Sequence, residues 1–243
     1  IAMLCAVLAG LLAGTVTGLL HVLLGIPPIL AGILTQMVLW SVNLKILGKA
    51  NQALPARSID VLLTQMNIPA ALPVLLGWAA VLVTLLVLFF STELGCALRA
   101  TGCNPVMSRA QGVNTGLMKV IGLALSNAVV AMSGGLLCQY QGYTDVNMGR
   151  GAVVIGLAAV VIGQAVLGRH GGHMAAQLGG VVLGAVIYYI VYQVIIFAGF
   201  DTDLLKMFSA VVVAVFLGVP HIRDQIRTNS RIKKGGSRHA ENA

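Results

Sequence analysis

Long apolar runs separated by short polar breaks organise the chain, and about 20 apolar residues are what a helix needs to cross a bilayer core. Seven runs meet or approach that length. They are Ile1 to Leu24, Ile26 to Leu47, Ala70 to Phe90, Leu117 to Gln139, Gly151 to Leu167, Leu178 to Ala198 and Leu204 to Val219. The fifth and seventh are short, which fits re-entrant or steeply packed segments as well as simple spans. Ile1 already lies inside an apolar run with no charged region before it, unlike a signal peptide, so further helices are expected upstream.

Composition agrees with the pattern. The 243 residues are 58% hydrophobic and 9% charged, against about 25% charged in soluble domains, and mean hydropathy is +0.94. Nearly all of this length is committed to apolar runs. The predicted fold class is therefore all-α: a polytopic helical membrane protein of about seven segments, with a transmembrane domain over 1–219 and a basic tail over 220–243. Aromatics are scarce and glycines number 29, which suits close helix packing and argues against a β-barrel with aromatic girdles. Gly10, Gly14 and Gly18 share one helix face, as do Gly180 and Gly184. These faces serve either packing within the bundle or a dimer interface. The Pro27-Pro28 pair predicts a helix break or a fresh start, which is either a plain turn or part of a transport pathway.

Positive residues stay cytoplasmic. The tail carries Arg223, Arg227, Arg231, Lys233, Lys234 and Arg238, so the C-terminus is expected inside a bacterial plasma membrane. Counting back places 92–116 inside as well, with Lys45, Lys49, Arg57, Arg150 and Lys206 as external exceptions.

Reactive constellations are absent. No G-x-x-x-x-G-K-[ST] phosphate loop occurs, so ATP hydrolysis is not expected of this chain. The four cysteines form no C-x-x-C pair, and His170 and His173 lack further metal ligands nearby. His21 reads as an interfacial or satisfied histidine. No acid or base is read in the middle of an apolar run, because Glu93, Asp145, Asp201 and Asp203 all fall at run ends. Proton- or ion-coupled carriers usually hold such groups within their spans. The energy source is therefore expected on another polypeptide. No cofactor, metal or nucleic-acid site is indicated.

The segment from Thr92 to Thr115, TELGCALRATGCNPVMSRAQGVNT, stands out as polar within this setting. Asn104 can cap a helix that starts at Pro105, so a short surface helix is expected from Pro105 to Gln111, ending near Gly112. The segment resembles the cytoplasmic loop of ABC importer permeases of the branched-chain amino acid and ribose type, with the form G-x-x-x-R-A-x-G-x-N-P-x-x-A-x-x-x-G-I. The matching residues are Gly95, Arg99, Ala100, Gly102, Asn104, Pro105 and Gly112, while Ser108 and Val113 replace the family's alanine and isoleucine. Similarity extends upstream over Gly14 to Trp40 and downstream from Ile121 through Gly134-Gly135 and over Gly151 to Gly172.

The resemblance implies a type II ABC importer-like permease subunit that imports a small polar solute, leaning toward an amino acid, and is itself no enzyme. It also implies separate ATPase subunits, an extracytoplasmic solute-binding protein and a second permease subunit, with a homodimer expected. Carried over residue by residue, the ATPase-coupling set is Glu93, Gly95, Arg99, Gly102, Asn104, Pro105, Arg109 and Gly112. Arg99 and Arg109 would either pair with acids of the ATPase or hold the loop at anionic lipid headgroups. Pathway residues are expected among Pro27, Pro28, Gln36, Trp40, Asn43 and Asn127, against the alternative that lone polar residues in spans bond helix to helix. The competing function is a secondary carrier or channel without an ATPase.

Overall fold

The computed structural model describes residues 1–54, 68–149, 152–167 and 174–197. The seventh apolar run, the basic tail, His170 and His173 lie outside the described residues, as do Arg57, Arg150, Arg169, Asp201, Asp203 and Lys206. Eight helices and one small sheet occur among the described residues: α1 (Ala2–Leu23), α2 (Pro28–Leu47), β1 (Asn51–Ala53), α3 (Ile68–Ser91), α4 (Glu93–Cys103), α5 (Pro105–Ala110), α6 (Thr115–Gln141), β2 (Tyr143–Asp145), α7 (Ala152–Leu167) and α8 (Met174–Phe197). Five of these helices, α1, α2, α3, α6 and α8, are long and apolar enough to cross a membrane. The chain is an all-α polytopic membrane protein. The helices outrun their apolar cores: α6 begins at Thr115 and α8 at Met174, because a helix continues into the polar interface where hydropathy has already fallen.

The described residues up to 148 form one compact unit. Its centre is the antiparallel pair of α1 and α6, and the glycine face of α1 accounts for the closeness of that pair. A Cβ on Gly10 would fall 2.5 Å from the Ala131 Cβ, one on Gly14 would fall 2.6 Å from the Ala124 Cα, and one on Gly18 would fall 2.8 Å from the Val120 Cα. The helices therefore touch backbone to backbone. In lipid, where burial supplies no drive between helices, that contact is gained through dispersion and small residues. Within this unit the glycine stripe serves intramolecular packing.

The break after α1 is a turn. Leu23 ends α1, Pro27 occupies the N-cap of α2 and Pro28 its first position, where a missing N–H costs nothing. His21 closes the turn by donating from Nδ1 to the Ile26 carbonyl at 2.7 Å. Thr17 then joins α1 to α2 through a buried 2.9 Å bond to the Thr35 hydroxyl, an interaction worth about 0.6 kcal/mol inside a membrane. Several other hydroxyls bond back to their own helix, as Thr84 does to the Ala80 carbonyl and Thr101 to the Ala97 carbonyl. Such bonds keep these hydroxyl donors from facing hydrocarbon unpaired.

At the other end of this unit, α2 and α6 terminate alike. Gly48 and Gly142 adopt left-handed conformations with φ of 67° and 73°, returning their N–H groups to the Leu44 and Cys138 carbonyls. The strands that follow pair antiparallel, with Asn51 opposite Asp145, Gln52 opposite Thr144 and Ala53 opposite Tyr143. This ribbon ties the ends of α2 and α6 together.

Among the described residues from 149 onward, α7 packs on α8 in a second unit. Ala158, Ile162 and Tyr188 are its buried core. Gly163 and Gly184 again remove the side chains that would separate the helices: a Cβ on Gly184 would meet the Gly163 nitrogen at 2.6 Å.

Candidate functional site: the α4–α5 shoulder

The polar segment 92–115 folds as two helices and three side-chain caps at the end of the first unit where α1 finishes and α6 starts. Thr92 ends the turn out of α3, donating to the Phe89 carbonyl at 2.6 Å and accepting from the Gly95 N–H at 3.3 Å. Gly95 is required by contact. A Cβ there would fall 2.5 Å from the Phe90 Cα, so any larger residue would open the α3–α4 corner. The sequence alone gives no helix over Glu93–Cys103, yet α4 forms there, amphipathic and laid against α6. Leu98 covers Gly122, whose added Cβ would stand 3.2 Å from the leucine methyl, and Thr101 is buried.

The Asn104-Pro105 reading is realised as expected. Asn104 Oδ1 accepts from the N–H groups of Val106 and Met107, both at 3.1 Å, and Pro105 opens α5. A cap of this kind is worth about 1 kcal/mol. Ser108, standing where the family has alanine, is 4% exposed and donates to the Asn104 carbonyl at 3.0 Å. Its hydroxyl is thereby satisfied, so the departure is accommodated. α5 ends at Ala110, one residue short of the expected Gln111, and Gly112 reverses the chain with φ of 83°. Asn114 then caps α6 by accepting from the Leu117 N–H at 3.1 Å.

The two arginines differ. Arg109 donates from Nη2 to Thr115 Oγ1 at 3.0 Å, bracing α5 against the first residue of α6, where Thr115 is 2% exposed. Arg99 is exposed on α4. Glu93 occupies the first turn of α4, where the helix dipole favours an acid. Gly102 has a helical backbone and open space around its Cα, so neither conformation nor crowding demands glycine there. Among these exposed polar groups the shoulder also presents an apolar pair outward: Val106 is 79% exposed and Met107 60%.

Lys119 is a charge that the reading of the apolar runs passed over, near the start of a run and not in its middle. It lies within the fourth run, on α6, and its Nζ stands 3.4 Å from His21 Nε2. Because His21 Nδ1 donates to the Ile26 carbonyl, Nε2 is the acceptor and the ammonium the donor. Partners 98 residues apart leave no local signature, and a lysine one turn inside a span is at the depth where such side chains reach out to the interface. Pro28, His21 and Lys119 line a groove of about 490 Å³ together with Leu98, Thr101 and Gly102.

The remaining expected pathway residues do not all converge. Gln36, Trp40 and Asn43 are spaced along one exposed face of α2. Asn127 lies in the α1–α6 seam against Gly14 and donates to the Leu123 carbonyl at 2.9 Å.

Helices long enough to cross a membrane agree with what the comparisons with known proteins show, a permease subunit of the ABC transporter type. The chain belongs to the family described as branched-chain amino acid transport system permease components, which matches residues 1–220. It is 35% identical over 234 residues to a tyrosine transport system permease protein of Clostridioides difficile, covering 96% of this chain and 77% of that one. It is 30% identical over 189 residues to the autoinducer 2 import system permease protein LsrC of Escherichia coli, covering 74% of this chain and 52% of that one. The same permease of Shigella flexneri matches to the same extent. No solved structure matches the chain.

Proposed function

We propose that this protein is the permease subunit of an ATP-driven importer for a small polar solute, an amino acid and an aromatic one in the first instance. The observation that carries this reading is the α4–α5 shoulder. Val106 and Met107 form an apolar knob on a helix capped at both ends, and the knob is fixed to the bundle by Arg109–Thr115 and by Leu98 on Gly122. A partner ATPase receives that knob. In this reading the shoulder lies on the cytoplasmic side, and the ribbon of β1 and β2 faces the solute-binding protein. Two permease subunits, taken as identical, meet two ATPase subunits, and the solute passes along the face of α2 that holds Gln36, Trp40 and Asn43.

Coupling follows from the packing. ATP favours the closed ATPase dimer over the open one, and that differential affinity is the only drive the transporter requires. Closure displaces α5; α4 and α5 carry the displacement into α6, and the glycine seam passes it to α1. Close-packed interfaces of this kind switch between discrete arrangements. The lean toward an aromatic amino acid rests on the similarity to the tyrosine permease.

Reconstitution tests this reading. Proteoliposomes containing the permease, its ATPase and the binding protein are expected to accumulate labelled tyrosine only when ATP is supplied to the ATPase side. Accumulation that is unchanged without ATP would establish a secondary carrier or channel instead.

A further inference from the structure

At the shoulder, two hollows share Pro105 and Lys119. The first is the groove of about 490 Å³, walled largely by apolar groups such as Pro28, Leu98, Gly122 and Leu123. The second, of about 460 Å³, is lined by Val106, Arg109 and Ala110 in addition to the shared pair. An apolar groove thus adjoins, at Pro105 and Lys119, a cleft flanked by a guanidinium and an ammonium. Neither cation meets an acid among the described residues: Arg109 bonds to the Thr115 hydroxyl and Lys119 to the His21 ring. Both retain donors for a further acceptor, since a guanidinium carries five N–H groups and an ammonium three.

We infer that these joined hollows seat an anionic phospholipid, its phosphate between Arg109 and Lys119 and the start of an acyl chain along the groove toward Leu98 and Leu123. Three observations favour lipid over an acidic side chain of the ATPase. The cleft borders an apolar groove, which a carboxylate has no use for. Lys119 lies one turn inside a membrane-crossing helix, at the depth where a lysine reaches out to headgroups along its own apolar stem. The knob offered to a partner protein, Val106 and Met107, is apolar. The inference rests on the membrane-surface placement of the shoulder and goes beyond the docking role. The lipid acts as a wedge that holds α5 at its working angle to α6.

Native mass spectrometry of the purified full chain tests this, with phosphatidylglycerol and phosphatidylcholine of matched acyl chains offered in turn. Each basic residue near a headgroup is worth about fivefold in affinity. The intact protein is expected to prefer phosphatidylglycerol, with Lys119→Gln and Arg109→Gln each removing about that factor while the monodisperse elution profile is kept. Equal retention of both lipids by the intact protein would overturn the inference. So would lipid selectivity that survives Lys119→Gln while ATPase binding is lost, because the cleft would then belong to the partner protein. Loss of ATP dependence in the transport assay bears on the docking role and leaves lipid selectivity as a separate readout.

Discussion

Gly14→Leu is expected to disassemble the first unit. A methyl group at this position would already lie 2.6 Å from the Ala124 Cα, and a backbone atom cannot step aside as the end of a side chain can. Overpacking by a methylene or so in a packed interior costs roughly 1–3 kcal/mol, so Gly14→Ala forces α1 and α6 apart along the whole seam. Leucine exceeds what local adjustment absorbs. A glycine in open space should show the opposite sign: nothing stands within 4 Å of a Cβ on Gly32, and alanine in a helix is about 1 kcal/mol better than glycine. Melting of each variant in mild detergent, followed by size exclusion, separates the cases. The expected order of stability is Gly32→Ala at or above the parent, Gly14→Ala below it, and Gly14→Leu aggregated. Equal melting of Gly14→Ala and Gly32→Ala would mean that the seam does not hold the bundle together.

The second large effect belongs to the knob. Val106→Asp combined with Met107→Asp should abolish coupling without unfolding α5. The helix tolerates the change because both positions lie in its first turn, where acids interact favourably with the dipole and with the free N–H groups. Docking does not tolerate it. Burying an apolar side chain of this size is worth about 1.5–3 kcal/mol, so the pair supplies roughly 3–6 kcal/mol, and two charges must also be desolvated. Stimulated ATP hydrolysis and ATP-driven uptake in proteoliposomes are expected to fall by about 100-fold or more, with melting of the permease unchanged. Uptake at the parent rate would show that the ATPase grips the permease elsewhere.

Much of this architecture was legible in residue order. Apolar runs mark α1, α2, α3, α6, α7 and α8 because a membrane span must satisfy its own backbone over a fixed length. The Asn104-Pro105 cap is local chemistry, and α5 begins where that chemistry places it. Glycine spacing on α1 marks the face that meets α6. Other features depend on contacts that sequence separation conceals. In the sequence α4 looks like polar loop, since its helix is selected by packing Leu98 on Gly122 more than by hydropathy. Gly95, Gly102 and Gly112 look equivalent in the motif, yet Gly95 is fixed by the Phe90 backbone, Gly112 by a positive φ, and Gly102 by neither. The same holds for the arginines, one braced on Thr115 and the other exposed. Lys119 passes unnoticed until α1 delivers His21 to it.

The central claim is that α5 is the handle by which an ATPase works this permease, and a crosslink reads it most directly. With a photo-activatable residue at position 106, irradiation of membranes containing the permease and its ATP-binding partner should give one adduct joining the two chains, enhanced or weakened when ATP is added. The same probe at position 37, on the exposed side of α2, should give no adduct with the ATPase. Failure of position 106 to capture the ATPase in membranes that still show ATP-driven uptake would contradict the account.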